Sequence, residues 1–158
     1  MYWEAAKRLG LPGKLAELGS NVAVQGELVG STIEGNTMGF AEGEHAFYVF
    51  EIDDIDRQRY WRPDRTLKAC ARLDLPHVPV VSQGVRLCDF AGGVEEVLRR
   101  RVEGVGIRGR PREGLVFKTV KDQFAFKAIS NSWLLEKERM DEKQEEGEAP
   151  AGGRGASY

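Results

Sequence analysis

Two short apolar stretches, residues 114–120 and 123–129, are separated only by Lys121-Asp122. A two-residue connection leaves an antiparallel hairpin one register, because side chains alternate along a strand and the turn fixes the pairing. Val120 then faces Gln123, Lys118 faces Ala125, and Val116 faces Lys127. Lys118 and Lys127 share a face, diagonally placed within about 8 Å. Phe117 and Phe126 pair on the other face, as core. Two converging ammonium groups repel, and burial would sharpen the conflict. An anion between them removes it, and a nucleotide phosphate fits. The alternative is a solvated face on which both lysines reach water.

The rest of the chain supplies the framework. Residues 21–29 alternate as a strand, with Val22, Val24 and Leu28 on one face and Ala23, Gln25, Glu27 and Val29 on the other. Glu27 directly follows Gly26, whose missing side chain lets a ligand approach the backbone. A carboxylate there could bond ribose hydroxyls or help hold a metal, or it could be an edge charge facing solvent. A glycine-rich loop, 30–43, leads to residues 47–52, apolar on both faces except Glu51 and so a central strand. Phe50 within it is either core or a stacking platform for a base. Glu113, at the mouth of the hairpin, is either a metal-associated carboxylate or a strand-end charge. Helices are expected over 2–9 and 14–18, from Pro63 to Leu73, over 94–102, and from near Asn131 into the tail. A short strand is expected over 77–81 and a mobile loop over 104–111. The fold class is α+β: a mostly antiparallel sheet with flanking helices.

At 158 residues and 41% hydrophobic, the chain suits one domain, burying roughly two-thirds of its unfolded surface. No apolar run approaches the ~20 residues that span a bilayer, and no signal pattern opens the chain, so a cytoplasmic protein without membrane partners is expected. Cys70 and Cys88 read as free core thiols, and His45 and His77 form no metal cluster. Past Met140 there is almost nothing to bury, which predicts disorder. The division is a domain over 1–137 and an acidic, glycine-rich tail over 138–158. Residues 136–158 carry seven acidic and four basic side chains, so a chain charge of −2 leaves +1 on the body. Arg99, Arg100, Arg101, Arg108, Arg110 and Arg112 cluster there against only Glu103. Such a cluster either attracts phosphate backbones or is a solvated helix end and loop.

Four stretches then occur in order: Gln25-Gly26-Glu27-Leu28-Val29-Gly30, Phe47-Tyr48-Val49-Phe50, Glu113-Gly114-Leu115-Val116-Phe117-Lys118 and Phe126-Lys127-Ala128-Ile129-Ser130. Their order and separation resemble motifs III, IIIa, IV and V of the covalent nucleotidyltransferases, which include RNA ligases, DNA ligases and capping enzymes. Ile33, Gly35 and Asn36, with Asn131 after the last motif, make the wording most similar to bacterial ATP-dependent RNA ligases. The resemblance covers residues 2–137 and implies part of a ligase adenylation domain using ATP and Mg2+ on RNA ends. It implies that Glu27 contacts the ribose or a metal-bound water and that Phe50 stacks on adenine. It further implies that Glu113 supports the divalent ion while Lys118 and Lys127 hold phosphates.

In that family a lysine in a K-x-D/E-G motif attacks the α-phosphate of ATP, and no lysine here stands in such a motif. The expectation is a truncated or split ligase, completed by an upstream-encoded segment carrying the first motif and inactive alone. The competing reading is a non-catalytic nucleotide- or RNA-binding module, or an inert fragment.

Overall fold

The computed structural model describes residues 2–33, 36, 38–121 and 124–148. Glu34 and Gly35 of the glycine-rich loop, Asp122 and Gln123 of the expected hairpin turn, and tail residues 149–158 lie outside the described residues.

Strands β1 (Val22–Gly30), β2 (His45–Asp54) and β3 (Arg59–Tyr60) form an antiparallel sheet in that order. β2 is central, as its apolar pattern demands. Its register slips once. Gln25 faces Glu51 but Gly26 faces Val49, so Phe50 is an extra residue, a β-bulge. Val49 and Ile52, three positions apart, would point to opposite faces of a regular strand. With the bulge both are fully buried in one core. Trp61, Leu73 and Leu75 close that core, together with Ala69 and Cys70 of α3 (Pro63–Arg72). Val22 and Val24 pack against it from β1, on the face their alternation assigned.

β4 (Gly114–Lys118) and β5 (Ala125–Ile129) form a separate hairpin, with Val116 opposite Lys127 and Lys118 opposite Ala125 as expected. Gly114 is required here, since a Cβ would stand 2.1 Å from the Ala128 carbonyl oxygen. Phe117 and Phe126 stack at 4.8 Å. Only Phe117 joins the second core, with Val102, Ala128 and Phe90. Phe126 keeps 38% of its surface exposed, so half of the expected aromatic pair is not core.

Several local expectations are corrected. The second helix, α2, spans Leu11–Ala16 after α1 (Tyr2–Arg8), because Pro12 suits a first turn where its missing N–H costs nothing. Residues 77–81 form no strand; His77 makes one parallel bridge to Val49, and Pro79 has no N–H to extend it. The helix expected over 94–102 begins as α5 (Val94–Glu96), after an unforeseen α4 (Leu87–Ala91), and widens into a π-helical turn, Val97–Arg101. The loop over 104–111 is closed by a Val105–Pro111 bridge and a Gly106 N–H to Arg110 carbonyl bond of 2.7 Å. Cys70 is buried, which raises its thiol pKa, whereas Cys88 is exposed. α6 (Asn131–Glu148) continues past Met140. Its Glu and Lys residues are good helix formers even with nothing to bury.

The start of α6 is held by a residue far away in sequence. Glu103 accepts bonds from Ser130 Oγ and the Asn131 N–H, both at 2.8 Å, and from Ser132 Oγ. A carboxylate there also meets the positive end of the helix. The Ser132 hydroxyl above all, then Ser130 and the first backbone N–H groups, hold the Glu103 carboxyl below its ordinary range, against the opposing pull of burial. A lowered folded-state pKa adds stability at neutral pH that is lost as pH falls through the lowered value. Glu103→Gln is therefore expected to melt below the parent at neutral pH, with the gap narrowing on acidification. A gap independent of pH in thermal melts would contradict this.

Candidate functional site

Lys118 bridges the two sheets. By register, the β1–β2 face turned away from the first core carries Gln25, Glu27, Tyr48 and Glu51. The β4–β5 face turned away from the second core carries Val116, Lys118 and Lys127. Lys118 Nζ donates to the Phe50 carbonyl and to Glu51 Oε1, each at 3.0 Å, and lies 5.4 Å from the centre of the Phe50 ring. The bulge makes this possible, because Phe50 has no opposite residue on β1 and both Phe50 and Glu51 reach the lysine. The pair is mostly shielded, with side-chain exposures of 26% for Lys118 and 24% for Glu51.

Lys127 donates to the Glu113 carboxylate. The two lysines thus share a face as the hairpin register requires, but each has its own carboxylate, and the protein itself offsets their repulsion. Glu51 is the participant that the sequence reading missed. Its signal was present as the one charge in the otherwise apolar stretch 47–52. Glu27 is exposed on the same β1–β2 face, directly opposite Tyr48. Gly26 has a packing reason for being glycine. It lies opposite Val49, and a Cβ there would stand 2.3 Å from the Phe47 ring and 2.6 Å from the Tyr48 carbonyl oxygen. Val116 and Ile129, on the lysine face, are 56% and 44% exposed and form an open apolar surface beside Lys127.

The arginine cluster is largely committed to the protein. Arg112 donates to the carbonyls of Arg101, Val102 and Glu103, closing the end of the π-helical turn. Arg108 forms a two-pronged pair with Glu44 and lies 4.4 Å from the Phe40 ring centre. Arg99 and Arg100 pair with Glu95 and Glu96 one helical turn earlier. His45 is also occupied: Nδ1 meets the Gly43 carbonyl and Nε2 the Thr32 hydroxyl. Among the described residues no three His, Cys, Asp or Glu side chains converge to hold a metal. Single carboxylates such as Glu113 and Glu51 suit an ion of the Mg2+ type, which takes one or two carboxylates and completes its shell with phosphate oxygens and water.

Two antiparallel sheets, with a lysine-bearing hairpin facing an aromatic and a carboxylate, can now be compared with known proteins. The RNA ligase family model matches residues 1–129. The chain belongs to the RNA ligase family. Among solved structures, a lysine-to-alanine mutant of Naegleria gruberi RNA ligase with ATP and Mn matches at 33% identity and a TM-score of 0.74, covering 85% of this chain and 40% of that one. The Naegleria gruberi ligase with PPi matches at 32% identity and a TM-score of 0.74, covering 87% and 40%. A glutamate-to-alanine mutant with AMP and Mn matches at 32% and 0.73, covering 85% and 40%. No curated protein sequence matches. The chain therefore spans 40% of the length of the ligase structures it matches. Its α+β architecture is that of these RNA ligase structures, as the sequence anticipated.

Two outcomes test the geometry in this RNA ligase family member. A double-mutant cycle on Lys118→Met and Glu51→Gln, read by chemical denaturation, should give a coupling of about 1–2 kcal/mol, between exposed and buried ion pairs. Coupling near zero would remove Glu51 from the sheet joint. Gly26→Ala should cost about 1–3 kcal/mol of stability from overpacking; a mutant of parental stability would contradict the packing reason.

Proposed function

We propose that this chain is the nucleotide-binding part of an ATP-dependent RNA ligase adenylyltransferase, in which Lys118 and Lys127 hold phosphates and Phe50 stacks on adenine. The observation that carries the reading is the lysine-bearing face of β4–β5 meeting Phe50 across the sheet joint. Glu27 takes the ribose from the same face of β1–β2, and Gly26 before it leaves room for the Phe47 ring against the strand. Glu113 supports a divalent ion, Mg2+ in the cell, which when bound neutralises phosphate charge. Val116 and Ile129 offer the apolar surface that a nucleoside would cover. Among the matched ligase structures, a glutamate and a lysine mutated in complexes with AMP or ATP and Mn stand 14 positions apart, the separation of Glu113 and Lys127. That agreement supports the assignment.

Covalent chemistry needs a nucleophile that this sequence does not contain in a K-x-D/E-G setting. In the proposed reaction a lysine supplied by an upstream-encoded segment loses its proton and attacks the α-phosphorus of ATP. A P–N bond forms, the bond to the bridging oxygen breaks, and pyrophosphate leaves. An RNA 5'-phosphate oxygen then takes the adenylate and frees the lysine, and a 3'-hydroxyl attacks that 5'-phosphorus and releases AMP. Positioning and charge neutralisation are what this chain contributes. The bacterial wording of the motifs, a domain over 1–137 with a tail over 138–158, and a cytoplasmic site of action belong to the same proposal. No helix among the described residues is long and apolar enough to cross a membrane. A purely RNA-binding role for the Arg99 to Arg112 cluster is disfavoured, because Arg108 and Arg112 are held within the protein.

Two measurements test this. The chain should bind ATP with Mg2+ in calorimetry, and Lys127→Ala should weaken binding roughly 10–100-fold, the worth of a charge-assisted bond. The chain extended with its upstream coding region should form a covalent adduct with labelled ATP. No adduct from the extended protein would end the enzyme reading.

A further inference from the structure

A groove runs between the approach to α3 and the end of the β4–β5 hairpin, with Lys118 at its inner end. Five cations line it, Arg59, Arg62, Arg65, Lys118 and Lys121, against one carboxylate, Glu51. Their charges are not equally spent. Lys118 is neutralised by Glu51, and Arg62 meets Asp64 at 3.2 Å. Arg65 lies over the Trp61 ring, its Cζ 3.6 Å from the ring centre, a contact that leaves its charge intact. Arg59 and Lys121 are exposed and have no ion pair among the described residues. Two aromatic side chains border these cations, Tyr60 at 40% and Phe124 at 60% exposure.

Cations alone would suit any polyanion. Exposed aromatic faces interleaved with them suit one whose planar groups are unpaired, because stacking needs bases free of a duplex. We propose that this groove binds a single-stranded segment of RNA, with phosphates on Arg59, Arg65 and Lys121 and a base on Phe124. The inference deepens the reading above and takes from it only the choice of RNA over DNA. It places the polynucleotide beside Lys118, in a groove whose lining does not include the arginines of residues 99–112.

The test uses the full chain and a short fluorescent oligo-uridylate, titrated at low and at moderate salt by anisotropy. Arg59→Ala with Lys121→Ala should weaken binding roughly tenfold at low salt. The same pair should flatten the log–log salt dependence by about 1.4, two contacts at roughly 0.7 each. Phe124→Ala should weaken binding roughly 5–100-fold with the salt slope unchanged. ATP affinity of the same variants should match the parent, which also certifies their folding. Parental affinity in the variants overturns the groove. Loss with the cation pair but not with Phe124→Ala, matched by competition from polyglutamate, overturns RNA in favour of an acidic protein surface. A parent chain that binds oligo-uridylate in the groove but no ATP counts against the adenylate reading and leaves this inference standing.

Discussion

One extra residue in β2 sets the geometry on which the rest depends. Had β2 paired regularly with β1, Val49 and Ile52 would face opposite ways and one of them would leave the core. The bulge at Phe50 keeps both buried and brings Phe50 and Glu51 within reach of Lys118 on the other sheet. A packing requirement and a polar joint are thus met by the same backbone irregularity, the kind of irregularity found beside functional sites.

A second layer of order comes from polar groups acting over long sequence separations. Arg112 closes the carbonyl end of the π-helical turn, and Glu103, whose own carbonyl Arg112 engages, caps α6. Residues 101–112 and 130–132 are therefore one hydrogen-bonded unit at the base of the β4–β5 hairpin. Ser130 is fully buried within it, its hydroxyl donating to Glu103 and accepting the Trp133 N–H. The second core is small, with Val102 and Ala128 its fully closed members, so this unit supplies much of what holds the hairpin in place.

How much of this was legible in the sequence follows from the range of each interaction. The hairpin register was readable because a short turn fixes pairing locally, and Lys118 and Lys127 fell where alternation put them. The centrality of β2 was readable from its apolar faces, and the helix at Pro63 from its start and stop residues. The bulge was not, since nothing in Phe47-Tyr48-Val49-Phe50-Glu51 says which residue will be skipped. With it went Glu51 as the partner of Lys118, and the packing reason for Gly26. Arg108 and Arg112 looked like basic surface because their partners, Glu44 and a set of backbone carbonyls, are distant or invisible in sequence.

The sheet joint has one more property, visible when the donors on Lys118 are counted. An ammonium group carries three N–H bonds, and among the described residues two are used, on the Phe50 carbonyl and on Glu51. The third is a valence to spare. An incoming oxygen can take it while the other two stay made, so the lysine can serve a guest without letting go of the wall.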